Sequence, residues 1–240
     1  MRIGYLCTLL ATLTPAVAIA APATTETSGF SYAYPPAAAR VAPLRAWLEA
    51  DRKTLYARFA ADVREAKRDA KKDGYPYRDW DFQKGWSVVT ETPRFLSLSG
   101  SLYTYTGGAH GGTGSLALLW DKRAQRRLAP TAVFASSAAI QSAIGRAFCD
   151  RLDIERAKRR GGPVKRSSGS TGFDNCPKVS EATLILGSTD RRAIDRIGLL
   201  VDQYVAGPYA EGMYEVTLPV TPRLLATVKP DYRAAFAIGR

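Results

Sequence analysis

A glycine-rich loop carrying one histidine, set between two strand-like stretches, constrains this chain more than any other feature. It reads Ser101-Leu-Tyr-Thr-Tyr-Thr-Gly-Gly-Ala-His-Gly-Gly-Thr-Gly114, and His110 is the only histidine in the 240 residues. Before it, Leu96, Leu98 and Leu102 share one side of an alternating pattern, with Gly100 among them; Phe95, Tyr103 and Tyr105 take the other side. After it, Leu116, Leu118 and Trp120 resume the same period of two. Alternation of this kind marks a strand, because successive side chains point to opposite faces. The glycines leave the backbone of the intervening loop unusually free, and that loop presents the imidazole.

Elsewhere the pattern changes period. Residues 43–72 place Leu44, Trp47, Leu48, Leu55, Phe59, Val63 and Ala66 at threes and fours, which predicts a long helix ended by Gly74 and Pro76. Glu49–Lys53, Glu65–Arg68 and Asp69–Lys72 have spacings that suit ion pairs along it. Residues 30–34 read as an edge strand after a proline-bearing linker, 75–80 as an aromatic turn, 86–92 as a strand before Pro93, and 121–127 as a basic turn. Residues 128–134 lead into a second helix capped by Ser136 or Ser137 and carrying Ile140, Ile144, Phe148 and Leu152. Strands follow at 182–186, 197–204 and 213–219, then a short helix at 222–228. Helices and strands are segregated, so the expected class is α+β, with antiparallel sheets, a long N-terminal helix and a mid-chain helix.

The chain begins like an export signal. Arg2 precedes an apolar run, and Ala18-Ile19-Ala20 supplies the small residues a signal peptidase requires, so residues 1–20 are expected to be removed. An uncleaved anchor is the alternative, but the run is short for a bilayer and Pro15 interrupts it. Cleavage takes the formal charge from +12 to +11. So basic a chain would suit nucleic acid, but an exported one meets lipid headgroups, wall polymers and acidic proteins instead. Two cysteines remain, Cys149 and Cys176, and an oxidising compartment predicts one disulfide between them. Unpaired buried thiols are the alternative. The bridge would close a loop of 27 residues, worth roughly 3 kcal/mol by chain entropy. Inside it Arg156, Lys158, Arg159, Arg160, Lys165 and Arg166 follow one another without an acid, and Ser167-Ser-Gly-Ser-Thr-Gly172 comes next. That composition predicts a mobile basic segment that attracts polyanions.

The residue supply excludes several chemistries. One histidine and no cysteine pair at ligand spacing cannot build a common zinc constellation, and closely spaced acids for calcium are lacking. No Gly-x-Ser-x-Gly elbow or P-loop occurs. No metal or cofactor is therefore expected, and no catalytic residue is assigned. Two readings of His110 stay open. Its ring could cap backbone groups in a tight loop. Alternatively, Tyr103, Tyr105, Gly107, Gly108, His110 and Gly111 form a binding surface with Tyr209 and Glu211 of a second loop, 207–212. Tyrosines supply rigid contact area and glycines admit a partner's backbone.

Three stretches together resemble a known group of extracytoplasmic domains. They are Tyr-Thr-Gly-Gly-Ala-His-Gly at 105–111, Leu-Ala-Pro-Thr-Ala-Val-Phe at 128–134, and Tyr-Val-Ala-Gly-Pro-Tyr-Ala-Glu-Gly at 204–212 with the strand after it. The group is the RsiV/PdaC type, domain-of-unknown-function families 4163 and 3298, found in a lysozyme-sensing anti-sigma factor and ahead of the catalytic domain of a peptidoglycan deacetylase. The resemblance covers about 28–236. It implies two closely packed subdomains, here 21–106 as an N-terminal PdaC/RsiV-like part and 107–240 as a C-terminal RsiV-like part. It implies a periplasmic or secreted location; it does not imply a catalytic activity. The expected role is a non-catalytic binding or sensing module of the cell envelope, contacting peptidoglycan or a wall-active protein. Nucleic acid is not an expected partner, and no membrane span should remain after cleavage. The alternative is a small secreted hydrolase with His110 and either Glu211 or Asp202 as acid and base.

Overall fold

A computed structural model describes residues 23–27, 29–166 and 172–239. The expected signal peptide and residues 167–171 of the expected basic loop lie outside the described residues. In chain order the elements are β1 (Ala23–Thr27), β2 (Phe30–Tyr34), α1 (Pro36–Ala39), α2 (Ala42–Asp73), β3 (Asp81–Glu91), β4 (Phe95–Tyr105), β5 (Gly112–Asp121), β6 (Arg126–Leu128), α3 (Ser137–Arg160), β7 (Thr183–Gly187), β8 (Arg196–Val201), β9 (Tyr214–Pro219), α4 (Pro222–Leu225) and α5 (Pro230–Arg233). Strands β1 to β6 form one sheet in sequence order, and β7 to β9 form a second. Every pairing is antiparallel except β2 with β3. The α+β expectation, with its two long helices, holds.

The long helix and the strand alternation act together. Leu44 and Leu48, one turn apart on α2, are fully buried against Leu96, Leu98, Leu118 and Trp120 of the sheet. Phe30, Tyr32 and Tyr34 of β2 and Trp86 of β3 complete this first core. Gly74 ends α2 in the left-handed conformation at φ 75°, its N–H returning to Ala70 O. Of the expected ion pairs on α2 none forms; Glu49 pairs with Arg52 at 2.8 Å and with the Tyr34 hydroxyl at 2.5 Å instead. A nearer guanidinium outcompetes the more distant lysine.

The opposite face of β4 and β5 gives Phe95 and Leu119 to a second core. There they meet Ile140, Ile144, Phe148 and Leu152 of α3 and the inner faces of β7, β8 and β9. Each such side chain contributes about 1.5–3 kcal/mol by leaving water. The large sheet is thus shared, with α2 on one side and the C-terminal part on the other. The 106/107 boundary falls within the hairpin that joins β4 to β5.

Several expectations need correction. Residues 30–34 are not an edge strand, because β2 pairs with β1 on one side and β3 on the other. Strand β3 begins five residues earlier than Trp86, as its pairing with β4 runs from Asp81. Residues 130–133 form a separate 3-10 turn, while the cap of α3 is Ser136 as expected, its hydroxyl accepting from Ala139 N at 3.1 Å. Strand β8 stops at Val201, short of Tyr204.

The largest correction concerns the basic run. Residues through Arg160 belong to α3, and Arg156 is fully buried. Arg156 stands one turn beyond Leu152 on the buried stripe. Its guanidinium donates to Ala206 O at 2.9 Å, Asn175 O at 2.8 Å and Asp153 at 3.0 Å. Lys158 pairs with Glu155, Arg160 with Glu211 and Asp174, and Arg166 with Asp150 and Asp153. Acids one or more turns earlier on α3, with Asp174 and Glu211, thus engage four of the six cations of a run that has no acid of its own. Cys149 of α3 is disulfide-bonded to Cys176, with Cα atoms 5.4 Å apart, and this pins the carbonyls of 174–175 beside Arg156.

Candidate functional site

The loop after β4 is shaped by its glycines. Gly107 and Gly108 have φ of 95° and 97°, which residues with a Cβ rarely adopt. Gly111 is buried against the face of Tyr103, and a Cβ there would lie 2.6 Å from the Tyr103 hydroxyl. Tyr105 donates its hydroxyl to Gly108 O at 3.2 Å. His110, between them, is exposed. Its Nδ1 lies 2.9 Å from Gly111 O, and a carbonyl only accepts, so Nδ1 carries the proton. Nε2 faces the Tyr204 hydroxyl at 3.5 Å.

A second loop, 202–212, comes from between β8 and β9 and meets the first. The Tyr209 ring stacks on His110 with centroids 3.9 Å apart and planes 23° apart. Tyr204 lies 6.0 Å from Tyr209. It holds φ 67° although it is not glycine, and its ring is 55% exposed. This backbone conformation, uncommon for a residue with a Cβ, holds the ring toward solvent beside His110 and Tyr209.

The second loop is anchored at both ends. Asp202 accepts from Ser115 N at 3.1 Å and Ser115 Oγ at 2.5 Å. Gln203 Oε1 accepts from Thr113 Oγ1 at 2.8 Å. From below, Arg156 holds Ala206 O, and Arg160 forks onto both Glu211 oxygens at 2.8 and 2.9 Å. The Tyr214 hydroxyl also donates to Glu211, and the Arg159 guanidinium lies 4.0 Å from the Tyr214 ring centroid. Burial alone would raise the Glu211 pKa, but Arg160 and Tyr214 outweigh it and hold the carboxyl below its ordinary value. Burial and the Glu211 charge push the Tyr214 hydroxyl up.

Between the second loop and the two sheets runs an open groove of about 410 Å³. Gln83, Ser87, Ser99, Ser101, Tyr103, Thr113 and Ser115 line it from the large sheet, Leu200 from the small one, and Gln203 and Met213 from the segment between β8 and β9. Thr113 and Gln203, hydrogen-bonded to each other, both line it, and Gln203, which donates to Tyr209 O at 3.5 Å, links it to an aromatic rim of His110, Tyr209 and Tyr204 that stands outside the lining. The lining carries hydroxyls and amides, one aromatic ring, the apolar side chains of Leu102, Leu200 and Met213, and no ionised group.

The fold therefore brings together His110 with Tyr209, Tyr103 with Gly111, and Tyr105 with Gly108. Glu211 stands apart, its carboxylate taken by Arg160 and Tyr214. Neither Asp202 nor Glu211 hydrogen-bonds the imidazole. Sequence reasoning missed Tyr204, because β8 seemed to run through it, and missed Gln203 and the serines of β4. A run of serines at alternate positions 97, 99 and 101 was the available signal. Among the described residues no group of three or more His, Cys, Asp or Glu side chains could hold a metal.

Residues 23–113 match the family model described as Deacetylase PdaC. A solved structure of a DUF3298 family member from Bacteroides fragilis shares 15% identity, covers 90% of this chain and 95% of its own, and superposes with a TM-score of 0.56. A DUF3298 family protein from Pseudomonas aeruginosa shares 20% identity over 92% of this chain and 96% of its own, with a TM-score of 0.49. No curated protein matches this chain in sequence. The first structural likeness establishes the fold, and the family match shows residues 23–113 to be similar to a PdaC-type domain.

Proposed function

We propose that this chain, a PdaC-type domain joined to a C-terminal part on a DUF3298-like fold, is a non-catalytic binding module of the cell envelope. It is exported, and it holds a peptidoglycan glycan strand in the groove between its sheets. The observation that carries this reading is the groove itself. Its walls set hydroxyls and amides within a larger apolar surface and carry no charge, which suits a neutral ligand that alternates hydroxyl groups with C–H faces. Tyr103, Leu200 and Met213 supply apolar patches for the C–H faces and acetyl methyls of such a ligand. The His110–Tyr209–Tyr204 rim gives rigid aromatic contact area at low entropic cost.

Catalysis is supported less well. A hydrolase built on His110 needs a carboxylate or nucleophile within reach of the ring. His110 instead faces a carbonyl and a tyrosine hydroxyl, Asp202 is engaged by Ser115 and Glu211 by Arg160. Export agrees with the disulfide, and among the described residues no helix is long and apolar enough to cross a membrane.

The test is co-sedimentation of the protein with purified sacculi, with soluble muropeptides in calorimetry. Wild type should bind, and Tyr103→Ala and Tyr209→Ala should each weaken binding by roughly tenfold or more. Binding unaltered by both substitutions would reject the groove. Turnover of a muropeptide, ester or amide that His110→Ala abolishes would replace this reading with the hydrolase.

A further inference from the structure

A second groove lies on the other face of the large sheet, beneath the N-terminal half of α2. Trp47, Lys84, Trp86, Leu116, Leu118 and Arg127 line it, and its volume is about 380 Å³. Trp86 and Leu118 belong to the core under α2, whereas the hydroxyl-lined groove uses the strand positions of opposite parity. The two sites are separated by the sheet.

Lys84 is already satisfied, 2.7 Å from Asp51 and 5.4 Å above the Trp86 ring. Asp51 also accepts from the Tyr32 hydroxyl at 2.7 Å, and Trp86 Nε1 donates to that hydroxyl at 3.3 Å. This buried network fixes the wall and cancels the Lys84 charge with Asp51. Arg127 is different. Its guanidinium lies 3.9 Å from the Trp47 ring centroid, stacked at the lip of the groove. Among the described residues its side chain makes no hydrogen bond or ion pair, so its fork is open to a ligand while the ring holds it in place. Trp47 itself sits edge-to-face on Trp86, with centroids 6.4 Å apart.

We infer that this groove binds a carboxylate-bearing sugar. A guanidinium held flat by an indole is pre-organised, so it loses little freedom on pairing, and its fork matches a planar carboxylate bidentately. Beside it, the indole edges with Leu116 and Leu118 make an apolar wall for the C–H face of a pyranose. The groove has the size and the few placed polar groups of a small-ligand site. This inference does not depend on the glycan groove of the preceding reading.

Titration with glucuronate, followed by tryptophan fluorescence and by calorimetry, tests it on the full chain. Glucose and inorganic phosphate serve as the neutral and non-carboxylate arms. Glucuronate should give a saturable response that glucose and phosphate do not match. Arg127→Ala should weaken it by roughly tenfold to a hundredfold, and Arg127→Lys should restore only part, because the charge returns without the fork. Arg127 is exposed, so both variants should melt like wild type. Tyr209→Ala should leave the glucuronate response in place, which separates this site from the other. No saturable response in wild type, an equal response to glucose or phosphate, or an undiminished response in a folded Arg127→Ala would each overturn the assignment.

Discussion

One face of strands β4 and β5 meets two different fates at its two ends. At one end Phe95 and Leu119 point into the C-terminal core and are fully buried. Toward the other end Ser99, Ser101 and Tyr103, paired across with Ala117, Ser115 and Thr113, line an open groove. Backbone geometry and pairing are the same throughout. The side chains differ. Around Phe95 and Leu119 the second part of the protein closes down on the sheet and buries Ser97 with them; from Ser99 to Tyr103 it is held off by the 202–212 loop and a groove remains. A site can thus be made by withholding hydrophobicity from half of a packing face, with a strapped loop to keep the gap open.

The buried end should be the more costly to disturb. Phe95→Ala removes a ring shared between the sheet and the C-terminal part, and should lower stability by about 3–5 kcal/mol in chemical denaturation. A loss below about 1 kcal/mol would mean that the two parts are not held together there, and the comparison would fail at its first step.

The strap comes next. Glu211→Gln leaves Arg160 without its carboxylate and should cost about 1–3 kcal/mol at neutral pH. Since the folded Glu211 pKa lies below its ordinary value of 4.5, this stabilisation is complete above that pH. It is lost as pH falls through the folded value. Thermal melts from pH 7 to pH 3 should therefore show wild type approaching the Gln variant in acid. A constant gap between the two would show that Arg160 does not need the ionised acid.

The open end should be the least sensitive in stability and the most sensitive in binding. Ser101→Leu places an apolar side chain on an exposed position, so stability should stay within about 0.5 kcal/mol. The same change blocks the groove, and co-sedimentation with sacculi should fall. Lost stability with retained binding would invert the roles of the two ends.

Much of this molecule was legible in its sequence for a local reason. The alternation of Phe95 to Tyr105 named both faces of β4, and the stripe of Ile140, Ile144, Phe148 and Leu152 named the buried side of α3. The Cβ directions of strand and helix follow from the chain itself. Arg156 was misread although it continues that stripe, because its charge suggested solvent. The partners that let it be buried lie far away, Ala206 being 50 residues distant.

The candidate site divides in the same way. The glycine–histidine loop announced itself, since a lone imidazole among residues free to take positive φ is a local signal. That His110 would stack on Tyr209, that Tyr204 would stand in a strained conformation beside it, and that Glu211 would belong to Arg160 were not local facts. Sequence determined which residues could face the interior and which turns could form. Tertiary structure alone decided which cations found acids, which tyrosines met the histidine, and where the sheets failed to touch. Those outcomes depend on contacts between segments whose separation along the chain carries no periodic trace of their meeting.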